Sequence, residues 1–453
     1  MTETLTFADG LKDALGVDRA TPAVFVGNFE VEEVWAEPEF VLPRLSSAGA
    51  RAVVNRMDEF AILLGGPGDV AVTKSAPDPD YLDYLHGLGL PLPSLLHPRD
   101  QDPARPVTAD VLADPALLER LRDIGSGVGS GVVVAHGVSD LEEQLVRSTG
   151  LALAAPGAAT CKAVNSKNYS RDLADRHGVP QPAGRSCTSL AQFADALQWA
   201  ETLRAQGRGT VVKEAYGVSG KGIAALSSPR RGERIHGVFA AQARRAGIDR
   251  TAVVVEEWVD KRVDLNYQLT VGRDGTVTFD FVKEAITANG VHRGHRLPAR
   301  LTDRQLDDIR RCAAVVGAQL HADGYYGVAG VDALITTDDV LYPLIEINAR
   351  NNMSTYQVPL QQRFVRDGQC AMARHYAIRA DRQVGFAELH RLLAAPLDDR
   401  SFVVNNFATV NAGAGADGAI DGRLYGLLVG ADADTVDALD AEIDARLSAW
   451  SPR

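Results

Sequence analysis

The chain has 453 residues, 45% hydrophobic and 23% charged, with a formal net charge of −12. That is room for two or three domains, and the acidic balance disfavours phosphate backbones, so no nucleic-acid partner is expected and a small-molecule substrate fits better. The N-terminus MTETLTFADGLKD lacks an apolar h-region, no run approaches a membrane span, and Cys161, Cys187, Cys312 and Cys370 show no C-x-x-C spacing. A signal peptide, a membrane partner, a zinc site and a disulfide framework are therefore not expected, and a reducing cytoplasm is the default location.

In chain order, Ala23 to Val26 reads as a buried strand ending at Gly27-Asn28, Pro38 to Ala48 as a helix, and Ala52 to Asn55 as the next strand. Tyr81 to Gly87 suggests a helix, and Gly131 to Ala135 is a β-branched run ending at His136. Strands alternating with helices predict a parallel sheet covered on both faces. Ligands sit beyond the carboxyl ends of such strands, which makes Asn28, Glu30 and His136 candidate substrate contacts; local capping is the alternative for each. Ser139 and Glu142 form a capping box and carry no chemistry.

Leu151 to Gly157 reads as a link to a second domain. Asn165 or Ser166 caps a helix running to His177, with Lys167 in a first turn where a cation opposes the helix dipole, so a ligand is one reason for it. Thr188 or Ser189 caps a helix whose Leu190, Phe193, Leu197, Ala200 and Leu203 form a core stripe. Thr210 to Val212 is a strand closed by Lys213 and Glu214, and Gly217, Ser219, Gly220, Lys221 and Gly222 follow. Such a loop frees backbone N–H groups to cradle phosphate, with Lys213 and Lys221 adding charge at its two ends; a plain glycine-rich hairpin is the alternative. Ala215 and Gly222 stand where a Walker A motif needs Gly and Ser or Thr, so that loop type is excluded.

Arg230 to Arg250 is basic and poorly patterned. Val253 to Val259 reads as a strand whose end, Glu256, Glu257, Trp258 and Val259, can offer backbone groups to a purine edge, with Asp264 near a ribose. Leu265 to Val271 and Thr276 to Ile286 form a hairpin about an Asp-Gly turn, carrying Lys283 and Glu284 late on its second strand. A loop with His292, Arg293, His295 and Arg296 then makes a local cationic cluster suited to a carboxylate or phosphate, or merely solvated. After an amphipathic helix through Leu306 and Leu320, strands Gly327 to Ile335 and Leu341 to Ile347 lead into Glu346-Ile347-Asn348-Ala349-Arg350. Glu346, Asn348 and Arg350 share one face, and a hairpin brings Asp332 beside Glu346. Carboxylates about 4 Å apart repel by roughly 4 kcal/mol at an effective dielectric near 20, so a cation belongs between them. An oxygen set of Asp332, Glu346 and Asn348 suits magnesium bridging phosphates, and Arg350 can stabilise charge that develops in the reaction. Arg423 to Gly430 reads as a strand, Val436 to Leu447 as a helix, and Asn405 to Gly422 as a loop near an acceptor site.

Together these motifs, from about Lys167 to Asn352, resemble the ATP-grasp superfamily of carboxylate ligases. The resemblance implies an α/β chain: a Rossmann-like pre-ATP-grasp domain over residues 1–157, an ATP-grasp fold of α+β lobes over 158–260 and 261–360, and a C-terminal α/β extension over 361–453. It implies ATP held by Lys167, Lys213, the flap glycines Gly217, Gly220 and Gly222 with Ser219, the hinge Glu256 to Val259, and Asp264. Two magnesium ions would sit on Asp332, Glu346 and Asn348. Arg350, Lys283 and Lys221 are the candidate catalytic residues; Glu284, Arg293, His295, Asn28 and His136 are the candidate substrate contacts. KEAYGVSGKG and EINARNN most resemble the pheganomycin-ligase-like group, which includes γ-glutamyl dipeptide ligases. The implied function is formation of an amide between an amino-acid carboxylate and an amine through an acyl phosphate, with a homodimer the superfamily expectation. A carboxylase or carbamoyl-type ATP-grasp enzyme and a non-catalytic ATP-binding regulator are the competing readings. In a D-alanine ligase an arginine stands where this chain has Gly330.

Overall fold

The computed structural model describes residues 7–450 apart from 38, 41, 43–47, 128–129, 218–221, 289–290 and 414–418. Among the described residues the strands form three sheets. The first is parallel, in the order β3-β2-β1-β4-β5, built from β1 (Ala23–Val26), β2 (Val70–Val72), β3 (Ser94–Leu96), β4 (Val132–Ala135) and β5 (Ala152–Leu153). The run of buried Ala and Val in β1 and β4 is what a sheet covered on both faces requires. The strand order reverses between β1 and β4, which opens a crevice at their carboxyl ends.

A four-stranded antiparallel sheet follows, ordered β6-β9-β7-β8, from β6 (Gly184–Cys187), β7 (Gly209–Glu214), β8 (Ile223–Ala225) and β9 (Val253–Trp258). The largest sheet is antiparallel and ordered β14-β13-β10-β11-β12-β15-β17-β16. Its strands are β10 (Lys261–Val271), β11 (Val277–Ala288), β12 (Val291–Leu297), β13 (Gly327–Thr336), β14 (Leu341–Asn348), β15 (Cys370–Ala380), β16 (Phe402–Asn406) and β17 (Ile420–Gly430). Leu265, Tyr267, Leu269, Val331 and Ile347 alternate onto one face, packed with Ile309, Ala313 and Val316 of helix Asp303–Ala322. The opposite face is left for polar residues, as a period of two demands.

Most elements lie where the sequence places them. The Ser139–Glu142 capping box is formed, Ser166 caps helix Lys167–His177 with Gly178 in the left-handed conformation behind it, and Ser189 caps helix Leu190–Arg204. Four expectations fail. Ala52 to Asn55 is helical, within Ala48–Asn55; alanines on this stretch outweigh its two valines. Arg230 to Arg250 is not unpatterned, because helix Pro229–Ala246 buries Ile235, Phe239 and Ala243 at spacings of four while its arginines face solvent. His292 to Arg296 is strand β12 rather than a loop, held between β11 and β15. The proposed loop from Asn405 includes the end of β16, a 3-10 turn over Ala408–Asn411 and the start of β17. Of the expected Pro38 to Ala48 helix, most positions lie outside the described residues. Ala152 and Leu153 of the expected link instead complete the parallel sheet as β5.

Candidate active site

Cross-strand register builds the site. Asp332 on β13 stands opposite Glu346 on β14 and opposite Asn266 on β10; Asn266 stands opposite Lys283 on β11. Directly opposed residues project to the same side, so one row carries two acids, an amide and a lysine across four neighbouring strands. Asp332 accepts from Asn266 Nδ2 at 2.9 Å and from Asn348 Nδ2 at 3.3 Å. Burial first, then the Glu346 carboxylate, push Asp332 up to about 6. Glu346 Oε1 accepts from Lys167 Nζ at 2.6 Å, and the same ammonium donates to the Gly217 carbonyl at 2.7 Å. Lys167 thereby joins Glu346 to the start of the glycine-rich loop.

Arg350 closes this edge. Its guanidinium pairs with Glu32 of helix Val31–Ala36 and donates to Asn348 Oδ1 at 3.0 Å and the Asn351 carbonyl at 2.9 Å. Gly330 is opposite Asn348, and a Cβ there would lie 2.5 Å from Asn352 Nδ2. The arginine of a D-alanine ligase could not be accommodated at that position without displacing Asn352. Two carboxylates and one amide offer magnesium part of an oxygen shell, the remainder coming from phosphates and water, as suits that ion. Among the described residues no group of three or more His, Cys, Asp or Glu side chains that could hold a metal ion converges.

The nucleotide candidates cluster where the chain passes from the four-stranded to the eight-stranded sheet, at Trp258 to Lys261. Lys213 pairs with Glu256, which Arg171 also approaches at 3.7 Å. Glu257 is held by Arg208, and Asp264 by Lys261 at 2.5 Å and Thr287 Oγ1 at 2.9 Å. Trp258 is 46% exposed beside half-buried Val259, an apolar surface on the hinge. Gly222 has φ of 82°, a conformation that favours glycine, and its carbonyl accepts from Glu214 N at 2.8 Å. Ser219, Gly220 and Lys221 lie outside the described residues.

The remaining candidates separate. Asn28 spends its amide joining the ends of β1 and β4, donating to the Gly137 carbonyl at 2.8 Å and accepting from His136 N at 2.9 Å. His136 is buried, stacked on Phe29 and bonded through Nδ1 to the Tyr356 hydroxyl at 2.8 Å. Burial and then Arg350 hold its imidazole well below the usual pKa, so it is neutral. Glu284 lies on the other face of the sheet from Lys283 and accepts from Arg300 N at 2.8 Å, away from the metal edge. Burial also lowers His292 to about 4 and His295 well below its ordinary value, so the expected cationic cluster holds neutral imidazoles beside Arg293. Sequence reasoning did not single out Glu32, which holds Arg350, or Asn266, which holds Asp332. Asn266 was findable, being two residues from Asp264 on an assigned strand.

A helix-borne lysine bonded both to Glu346 and to the start of a glycine-rich loop, beside an opposed Asp–Glu pair on neighbouring strands, is an arrangement suited to phosphate and a divalent cation. The Pre ATP-grasp domain family model matches residues 57–151 and the ATP-grasp domain model residues 175–355. The chain carries a pre-ATP-grasp domain and an ATP-grasp domain and is a ligase of the ATP-grasp kind. It is similar to the butirosin acyl-carrier protein L-glutamate ligase of Niallia circulans, with 26% identity over 319 residues, 70% of each chain. It is also similar to the L-propargylglycine L-glutamate ligase of Streptantibioticus cattleyicolor, with 27% identity over 305 residues, covering 62% of each. The carboxyaminoimidazole ribonucleotide synthase of Aspergillus clavatus, solved with ATP, shares the fold with a TM-score of 0.54 at 13% identity, over 94% of this chain and 99% of that one. No helix is long and apolar enough to cross a membrane among the described residues.

Proposed function

We propose that the chain activates an amino-acid carboxylate, L-glutamate or a close analogue, as an acyl phosphate and transfers the acyl group to an amine, releasing ADP and phosphate. The observation that supports it most is the convergence of Asp332, Glu346, Asn348, Lys167 and Arg350 on one sheet edge. The naming of L-glutamate in both relatives supports the substrate class. A carboxylate is a poor acyl donor; phosphorylation turns its oxygen into a leaving group. Positioning and charge neutralisation can supply such catalysis without a side-chain nucleophile.

Lys167 and Lys213 bind the phosphates in this reading, with Gly217, Gly222 and the loop residues Ser219, Gly220 and Lys221 over them. Backbone groups of Glu256 to Val259 hold the base and Asp264 the ribose. Arg350, fixed by Glu32 and Asn348, is aimed along the edge where the oxyanion of acyl transfer develops. Asp332, Glu346 and Asn348 would hold magnesium, two ions by family expectation, and that metal supplies neutralisation of phosphate charge. The amine acceptor is a second amino acid. The fold shared with a carboxyaminoimidazole ribonucleotide synthase keeps a carboxylase as the second reading, with bicarbonate as the acyl precursor.

Mass spectrometry of reactions containing ATP, magnesium and single or paired amino acids tests this. ADP together with a product one water lighter than two amino acids is expected. AMP release overturns the acyl-phosphate route, and ADP release that needs bicarbonate in place of an amino acid favours the carboxylase.

A further inference from the structure

Lys283 differs from the other buried lysines. Lys12 pairs with Asp69 at 2.8 Å, Lys74 with Asp110 at 2.5 Å, Lys167 with Glu346 at 2.6 Å, and Lys213 with Glu256. Lys283 is 0% exposed, yet its ammonium meets only the Ser354 carbonyl and Gln357 Oε1, both at 3.2 Å, and the Phe281 ring at 4.2 Å. No carboxylate pairs with it among the described residues. A buried charge without a counter-charge is costly, and here burial pushes the Lys283 pKa well down.

The same sheet face continues this theme. Ala285, two residues from Lys283, stands opposite His295; Ala373 stands opposite His295 in turn; His375, two residues on, stands opposite Tyr425, with Arg423 two positions away. Arg293 Nη1 lies 3.5 Å from His375 Nε2. His295 contacts Ser354 Oγ through Nε2 at 3.2 Å, while its buried Nδ1 has no hydrogen-bond partner among the described residues. Neither Arg293 nor Arg423 forms an ion pair among the described residues. An acid in the same row, Asp264 opposite Ala285, is already paired with Lys261, so among the described residues Lys283, Arg293 and Arg423 are left without an ion-pair partner.

Hydrogen bonds connect it to the reaction edge. Asn266 donates to Asp332 and accepts from Ser354 Oγ at 3.0 Å, and Ser354 reaches His295. Adjacent strands lie about 4.8 Å apart, so Lys283 is displaced from Asp332 by two strand spacings, about 10 Å at the backbone. By the same spacing His295, His375 and Arg423 stand three, four and five strands from Asp332, about 14 to 24 Å at the backbone, a span shared by the long side chains, the nucleotide phosphates and the substrate.

We propose that His295, His375 and Arg423 contact the second carboxylate of an acidic amino-acid substrate, with Lys283 beneath them as the positioning charge. Arg293 stands at the exposed rim. This subsite rests on the ligase reading above and specifies which amino acids it accepts. As the neutral tautomer protonated on Nδ1, His295 would donate Nδ1–H to the carboxylate, giving its orphaned nitrogen a partner, while Nε2 accepts from His292 Nε2–H at 3.2 Å.

The test uses the full chain and its Arg423→Gln and Lys283→Met variants, with magnesium and a non-hydrolysable ATP analogue for binding and with ATP for turnover. Glutamate, aspartate, glutamine, alanine, bicarbonate and phosphate are compared by thermal shift and by KM and kcat. Removing one partner of a buried charge pair is expected to raise the KM for the acidic substrate about 30-fold or more. Glutamine KM should change little, and kcat should fall less than the acidic substrate's affinity does. The unliganded Lys283→Met protein should melt no lower than wild type, which separates this role from a structural one. Unchanged selectivity in both variants overturns the subsite, as does stabilisation of wild type by bicarbonate or phosphate but not by either acidic amino acid. ADP release with neutral amino acids alone overturns the subsite and leaves the ligase standing. Binding of an acidic amino acid that is lost in the variants, without ADP release from any amino acid, retains the subsite and overturns the ligase.

Discussion

One face of the eight-stranded sheet has two ends of opposite character. At β13 and β14 the acids Asp332 and Glu346 are met by Lys167, Asn266 and Asn348 within the protein. At β11, β12 and β17 the basic groups Lys283, Arg293 and Arg423 form no ion pair among the described residues. The first end is nearly neutral before any ligand arrives, and its lysine is already in place. The second is short of negative charge, and what is missing there has the charge of a substrate. Fold stability alone would select a paired or apolar residue at the buried position of Lys283, so the mismatch there points to binding.

Substitutions can break this contrast. The largest effect is expected at the acidic edge, where Arg350→Ala should lower turnover by about 10²-fold or more, the scale for losing a preorganised donor. ATP affinity should change little, and normal turnover would remove Arg350 from the mechanism. Glu32→Gln keeps the shape of the Arg350 partner but removes its charge, and is expected to lower kcat by a smaller factor. Glu346→Gln should weaken magnesium-dependent ATP binding about tenfold, since it removes one hard anionic ligand. Calorimetry with and without magnesium reads this, and an unchanged magnesium dependence refutes the ligand assignment.

A subtler effect lies outside the site, at the carboxyl end of β1. Burial raises Glu30 from 4.5 to about 8 and Glu59 from 4.5 to about 7. Both acids hold protons more tightly folded than unfolded, so their contribution to stability is fully present below about 4.5 and lost as pH rises through about 7 and 8. Glu30→Gln should flatten the loss of melting temperature over that interval. A slope equal to that of wild type would show that Glu30 does not titrate there.

The acidic edge was legible because its residues lie close in sequence and obey a period of two. Asp332, Glu346 and Asn348 fall on adjacent strands of one hairpin in the register that the alternation predicts, and Arg350 follows two residues past the end of β14. Lys167 was legible from its cap, since Ser166 fixes where the helix starts. The basic end was not, because Lys283, His295, His375 and Arg423 are spread over 141 positions and meet only through the order β11-β12-β15-β17. Nothing in a linear pattern specifies that order. Charge misled in two places: the arginines of Pro229–Ala246 hid a helical stripe, and the histidines of β12 suggested a solvated cation cluster where burial removes the charge. Asn28 and His136 were placed correctly at strand ends, yet Asn28 is occupied in tying β1 to β4 and His136 in tying the parallel sheet to the segment after β14.

The most direct test of the central claim follows an oxygen atom. Glutamate labelled with ¹⁸O in its carboxylates is incubated with ATP, magnesium and an amine acceptor, and the phosphorus products are weighed. Transfer of one labelled oxygen per turnover into inorganic phosphate, with ADP as the nucleotide product, is the predicted result. Label in AMP, or unlabelled phosphate accompanying amide formation, would contradict activation through an acyl phosphate.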